Sequence, residues 1–230
     1  MRIAIHQPNF LPWLGYFNKM VSCDVFVFLE DVEIVKTGST WTNRTKIMSN
    51  GEPRWLTLPI KRPSGINLIS NAEVSDIGWK QKCVSQIDAA YRSSPYHDQI
   101  MELVYDVFES ATLFLSEFNR ESLLKIISFL QLDPPRFVTS SDYALDSKST
   151  DRLIDLVKRV GGNEYLSGDG STSYLEPEKF KKEKITLTYQ NFKTKQYVQL
   201  SKSDFVPGLS IIDSLMMVGP LKTLDLISTV

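Results

Sequence analysis

A histidine directly behind a buried apolar strand, followed by two prolines four residues apart, is where this 230-residue chain is best prepared for chemistry. The stretch reads Ile5-His6-Gln7-Pro8-Asn9-Phe10-Leu11-Pro12. Imidazole titrates near neutrality, so His6 can exchange a proton or meet a phosphate at cell pH. A place just behind a buried strand is not a surface position. The second histidine, His97, lies in the polar turn Pro95-Tyr96-His97-Asp98 and is assigned to the surface.

Ligands of open parallel sheets bind beyond the carboxyl ends of the strands. The residues behind each expected strand are therefore the other candidates. Gln7 and Asn9 lie behind the first, Glu30-Asp31 behind the second, Ser140-Ser141 behind a later one, and Ser167-Gly168-Asp169-Gly170-Ser171-Thr172 behind another. Asp31 is read as a catalytic base, with metal ligand and helix cap as alternatives. The glycine-rich turn from Ser167 could cradle an anion with its backbone N–H groups. Asn43 and Arg44 come after an aromatic in Trp41-Thr42-Asn43-Arg44, and the planar guanidinium fork suits carboxylate or phosphate. Trp13, Trp41, Trp55 and Trp79 are read mostly as core, with ring stacking a secondary role. No metal-ligand spacing stands out.

These residues need elements to position them. Arg2–Ile5 is expected to be a buried strand. Pro8 and Pro12 bar a helix between them, and a helix starts behind Pro12, where Leu14, Phe17, Met20 and Val21 share a face. Val25–Leu29 is a continuous apolar run, as in a sheet covered on both sides. Strand, helix, strand implies a parallel, right-handed βαβ unit. Residues 33–50 are expected to be loop and short strand pieces, and Trp55–Ile60 a strand. Helices are expected over Trp79–Tyr91 and, in two runs parted near Ala111 or Thr112, over 98–131. Ser75 or Asp76 is the expected cap of the first. Strands are expected over Phe137–Ser141, Tyr165–Ser167 and Ile185–Tyr189. A helix over Asp151–Val160 is capped by Ser149 or Thr150 and stopped at Gly161-Gly162. A last helix covers Ser210–Val218 and ends at Gly219-Pro220. The fold class is α/β, with a core of residues 1–79 and 133–230 and a helical insertion over 80–132 in one compact unit.

Composition limits the function classes. Twenty-six Lys and Arg stand against 27 Asp and Glu, a net charge of −1, so the basic excess of a nucleic-acid binder is missing. A local basic pocket for phosphate remains compatible. Two cysteines, Cys23 and Cys83, make no disulfide framework. No stretch has the character of a signal peptide or membrane span, which points to a cytoplasmic protein.

The residues also carry a resemblance. IAIHQPNFLPWLGYFNKM at 3–20, CDVFVFLEDVE at 23–33, WTNRTKI at 41–47, WLTLPI at 55–60, YLSGDGSTSYL at 165–175 and FVPGLSIIDSLMMVG at 205–219 resemble the WbqC-like proteins of bacterial surface-polysaccharide (O-antigen) loci. Asn119, Ser140-Ser141 and Tyr189-Gln190 belong to the same pattern, which covers nearly the whole chain. Family members often carry Asp and Gln where this chain has Glu30 and Glu33. The resemblance implies work on a sugar, typically an amino sugar carried on a nucleotide. It adds Tyr174 to the expected substrate contacts. A second similarity is to the nucleotidyltransferase fold, where a strand leads to a P-x-H-x-G-H loop. That similarity implies a Rossmann-like, nucleotidyltransferase-like core, while Leu14 and Tyr16, standing at the positions of its phosphate-binding histidines, speak against inherited nucleotidyl transfer.

Three functions are compatible with these features. The first is a transferase that acylates or aminoacylates the amine of a nucleotide-linked amino sugar, with His6 and Asp31 catalytic. Gln7, Asn9, Asn43, Arg44, Ser140, Ser141, Ser167, Gly168, Ser171 and Tyr174 would bind substrate. The second is an ATP-dependent nucleotidyltransferase or adenylate-forming ligase. The third is a non-catalytic sugar-nucleotide binding or assembly protein. ATP or an acyl donor is the expected co-reactant.

Overall fold

The computed structural model describes residues 1–34, 41–61, 67–75, 78–171, 175–202 and 204–228. The chain opens with strand β1 (Arg2–His6), helix α1 (Leu14–Val21) and strand β2 (Val25–Phe28). A hairpin of β3 (Arg44–Ser49) and β4 (Glu52–Thr57) comes next, then helices α2 (Trp79–Tyr91), α3 (His97–Phe108) and α4 (Leu115–Leu130). The chain returns through β5 (Arg136–Thr139), α5 (Ser149–Arg159), β6 (Glu164–Ser167), α6 (Pro177–Lys182) and β7 (Thr186–Tyr189) to α7 (Ile211–Ile227).

Five of these strands form one parallel sheet in the order β5-β2-β1-β6-β7. Side chains alternate across a strand, so a fully apolar strand serves two cores. Ala4, Phe26 and Phe28 face a large core shared with α1, α2, α3, α4 and α7. Ile3, Ile5, Val25 and Val27 face a smaller one closed by Ile154, Leu156 and Val157 of α5 and Phe180 of α6. The α/β class with a helical region is what is seen, together with a small antiparallel hairpin.

Four local expectations change. Residues 44–57 form a two-stranded antiparallel hairpin, with β4 beginning at Glu52 instead of Trp55. Its turn is Asn50-Gly51, with φ of 53° and 80°, the doubly left-handed turn that matches the twist of paired strands. Ser149 does not cap α5: the residue before the helix is Lys148, and no side chain caps it. Helix α2 is likewise preceded by Gly78 and not by Ser75, while Asp76 lies outside the described residues. Finally, the last helix does not stop at Gly219. That glycine (φ 75°) kinks the chain, and Pro220 opens a second helical piece that runs to Ile227.

The first turn of α7 also holds a buried carboxyl. Asp213 is fully buried and accepts hydrogen bonds from the Tyr91 hydroxyl of α2 (2.8 Å) and the Tyr197 hydroxyl (2.8 Å). The Tyr91 oxygen in turn accepts from Met48 N of β3 (2.9 Å). Three distant segments thus meet at one carboxyl. Burial pushes its pKa up to about 6 from 3.8, and the hydroxyl bonds pull the other way without cancelling it. A raised folded-state pKa favours the protonated native form. The stability it contributes is complete below about pH 4 and is lost as pH rises through about 6. Urea unfolding should therefore show wild type losing up to about 3 kcal/mol between about pH 4 and 7 relative to Asp213→Asn, with no further change at higher pH. A difference that stays flat across that range would remove the buried-acid assignment.

Candidate active site

Strand β1 is where the chain changes direction of growth. The connections leaving β1 and β6 run to opposite sides, so the ends of these two neighbours leave a crevice between them. A cleft of about 680 Å³ lies there. That is within the range of small-molecule sites. The end of β1 contributes His6, Gln7 and Asn9. Gly15, Tyr16 and Lys19 of α1 face in, since spacings of three and four share one side of a helix. Ser167–Ser171 arrive from β6, Ser149 and Arg152 from α5, and Trp13, Trp41, Gln190 and Phe192 complete the wall.

Nδ1 of His6 lies 3.1 Å from the Gln7 carbonyl oxygen. A carbonyl can only accept, so Nδ1 carries the hydrogen and Nε2 keeps a lone pair. The ring is held edge-on by Tyr16 (4.8 Å between centroids) and Trp13 (6.0 Å). Burial, and then the charge of Lys19, push the imidazole pKa down to about 3, against the pull of the Gln7 bond. His6 is thus a neutral acceptor throughout the physiological range.

Lys19 is not among the expected site residues. It is buried, and its Nζ donates to the Ile5 carbonyl at 2.9 Å. Burial lowers its pKa to about 8, with Cys23 and Asp169 opposing that shift. Arg152 is also outside the expected set. Its guanidinium bonds Asp31 Oδ2 and the carbonyls of Leu145 (3.0 Å) and Ser147 (3.1 Å), while Nε is buried with no hydrogen-bond partner among the described residues. The cleft therefore has two built-in cations. Lys19 has a faint sequence signal, the lone charged residue, four behind Gly15, on a mostly apolar helix. Arg152 has none.

The expected residues divide into two groups. Gln7, Asn9, Ser167, Gly168 and Ser171 line the cleft beside His6. Thr42 donates to Gln7 Oε1 (3.1 Å), and the Ser167 and Ser171 hydroxyls bond each other at 2.5 Å. Asp31 stands behind the wall, held by Arg152 and by the Ser140 hydroxyl. Ser141 donates to Oε1 of buried Glu30 (2.9 Å), which Ser116 and Arg120 also engage. Ser140 and Ser141 thus fix carboxylates and do not line the cleft. Asn43 donates to the Leu58 carbonyl (3.0 Å), and Arg44 lies over the Trp55 ring, 4.2 Å from its centroid, both away from the cleft lining. Tyr174 lies outside the described residues. His97, expected at the surface, bridges Asp88 of α2 and Asp98 of α3 at 2.9 Å with its side chain 17% exposed.

A model of the WbqC-like protein family matches residues 7–224 of the chain. The chain belongs to that family. Its matched span takes in the Gln7–Asn9 loop, Lys19, Arg152 and the Ser167–Ser171 turn, while His6 stands one residue ahead of it. This WbqC-like protein is also 28% identical over 221 residues to the uncharacterized protein Rv1507c of Mycobacterium tuberculosis, covering 95% of this chain and 94% of that one. No solved structure matches it with significance. Among the described residues, no three His, Cys, Asp or Glu side chains group as metal ligands, and no helix is long and apolar enough to cross a membrane.

The geometry predicts the protonation of His6. Nitrogen-detected NMR should show it carrying hydrogen at Nδ1 alone, with no titration between about pH 5 and 8. Lys19→Gln should raise its pKa by removing the nearby charge. A wild-type midpoint near the ordinary imidazole value of 6.5 would overturn this assignment.

Proposed function

We propose that this WbqC-like protein is a cytoplasmic transferase that places an acyl or aminoacyl group on the amine of a nucleotide-linked amino sugar, within surface-polysaccharide synthesis. The observation that carries the reading is that His6, its Nδ1 turned to the Gln7 carbonyl, lines the same cleft as Lys19 and Arg152. Amide formation needs an acceptor for the amine's proton, and phosphate recognition needs cations; both are within one cavity. The strand order, counted along the sheet as third, second, first, fourth, fifth, matches the Rossmann-like arrangement. Its crevice is the usual place for a nucleotide.

Lys19 and Arg152 hold the phosphates of the acceptor. Asp31 is a positioning residue that aims Arg152. The amine nitrogen attacks the donor carbonyl carbon; the new C–N bond forms as the bond from that carbon to the donor's leaving group breaks. The amine's proton passes through His6 Nε2 to the leaving group. In this reading the Gly168–Gly170 backbone supplies N–H donors to the oxygen on which charge develops. Seating an anion against Lys19 cancels the second cause of the low His6 basicity, so the imidazole becomes a better acceptor once substrate is bound.

Nucleotidyl transfer has less support. Leu14 and Tyr16, at the positions where that fold carries phosphate-binding histidines, are packed in the core, and the Tyr16 hydroxyl is engaged by the Gln7 carbonyl at 3.0 Å. Gly15 alone of the three opens the way to the cleft without a side chain.

A mass-spectrometric screen of nucleotide amino sugars with acyl donors and ATP tests the proposal. Wild type should yield an N-acylated sugar nucleotide. His6→Ala should keep the wild-type circular dichroism and lose on the order of 10²–10⁴ in turnover. Full turnover in His6→Ala would remove the role given to His6. Tight sugar-nucleotide binding with no product from any donor would make the protein a binding module.

A further inference from the structure

The aromatic wall of the cleft continues outside it. Trp13, beside His6, is 5.2 Å from Trp41 between ring centroids, and Trp41 is 5.2 Å from Trp55. Beyond them the cations begin: the Arg44 guanidinium lies 4.2 Å and the Lys46 ammonium 5.2 Å from the Trp55 centroid. All five side chains are only partly buried.

The hairpin explains why they line up. Arg44 is paired with Thr57 and Lys46 with Trp55, so these four share one face of the ribbon. The opposite face carries Thr45, Ile47 and Leu56, all buried. Met48, at the turn end of the Arg44 and Lys46 face, is also buried, so the part of that face left to the surface is the stretch of Arg44, Lys46 and Trp55. That stretch presents indole and cation together. Among the described residues, no carboxylate lies within ion-pair distance of Lys46.

We propose that this strip is the second half of a two-ended site and holds a nucleoside phosphate forming the tail of the acyl donor. The nucleobase lies against Trp41, between Trp13 and Trp55, and the phosphate meets Lys46. Indole faces accept any base, and a neighbouring unpaired ammonium suits the phosphate attached to it. The placement argues for donor instead of acceptor. His6 touches the strip through Trp13, and Lys19 reaches the same cleft from α1. Group transfer needs donor and acceptor to arrive separately and meet at the reacting centre. This assignment of the donor rests on the transfer reading of His6 given above.

Calorimetry on the full chain tests it, with AMP, UMP, inorganic phosphate, pyrophosphate and N-acetylglucosamine as probes. AMP or UMP should bind at least about tenfold more tightly than phosphate. Trp41→Ala should erase that gain and change pyrophosphate affinity by less than about twofold, because pyrophosphate sits at Lys19 and Arg152. Lys46→Gln should weaken the mononucleotide and flatten its salt dependence. Lys19→Gln should do the converse, losing pyrophosphate and keeping the mononucleotide. Trp55→Ala, on the outer face of the hairpin, repeats the test should Trp41→Ala fail to fold.

Mononucleotides that bind no more tightly than phosphate, or that ignore both tryptophan substitutions, overturn the proposal. So does N-acetylglucosamine binding through Trp41, which would make the strip a glycan surface. A Trp41-dependent mononucleotide site in a protein that fails every transfer assay would keep the strip as a nucleotide site and remove the transfer reading, so the two failures are distinct.

Discussion

The carbonyl oxygen of Gln7 accepts two hydrogen bonds, one from Nδ1 of His6 and one from the Tyr16 hydroxyl, and the site depends on that oxygen staying in place. It fixes the tautomer and ring plane of His6 at once. The loop carrying it is pinned by residues far away in sequence. Asn119 of α4 donates to the Pro8 carbonyl (2.9 Å) and the Thr42 carbonyl (2.7 Å). Leu11 sits at φ 40°, a region that costs a side-chain-bearing residue about 1–2 kcal/mol. Its carbonyl is held there by the hydroxyls of Thr45 (3.1 Å) and Ser210 (2.8 Å). The helical region, the hairpin and the C-terminal helix therefore all brace one short loop. Pro8 and Pro12 limit what else that loop can do.

The charges of the cleft are arranged on the same principle, each cation being held by groups that are not ligands. Lys19 points at the Ile5 carbonyl of β1, so its position is set by the strand that also carries His6. Arg152 is aimed by Asp31 and by two carbonyls of the segment leading into α5. A buried pair stabilises little by itself, because desolvation offsets the attraction. What the pair provides here is a guanidinium with a fixed orientation at the cleft edge. Glu30 and Asp31, adjacent at the end of β2, thereby tie the sheet to α4 through Ser116 and Arg120 and to α5 through Arg152.

Much of this fold is legible in the sequence wherever a period is long or a breaker strong. The opening strand, helix and strand, the helices of 79–131 and the Gly161-Gly162 stop all emerge from apolar spacing and glycine or proline punctuation. The hairpin carries its own signal in Asn50-Gly51, but the β3 segment 44–49 mixes Arg, Thr, Lys, Ile, Met and Ser and does not alternate cleanly. Its inner and outer faces emerge only when the pairing with β4 is known. That hides the outward turn of Trp55, a core residue by type. The short α6 gives no signal because its six residues, Pro-Glu-Lys-Phe-Lys-Lys, hold one apolar side chain apart from the leading proline, Phe180, too few for periodicity.

The cleft is legible only as chain ends. His6, Gln7, Asn9 and the Ser167 turn can be located from the sequence because positions directly behind a parallel strand are fixed by topology alone. The same rule gives Asp31, Ser140 and Ser141, which occupy the right rim but are taken up by one another and by Glu30. Topology places a backbone, and side-chain direction is then decided by the nearest opposite charge: Asp31 turns to Arg152, on a helix whose packing no local pattern reveals. The reverse holds for Lys19. One lysine on a helix defaults to solvent, and this one is buried because its helix lies over the carbonyl end of β1. A residue acquires chemistry here from the carbonyl it faces. For His6 that carbonyl belongs to the next residue and is within reach of the sequence; for Lys19 it lies fourteen residues away across a turn of the fold.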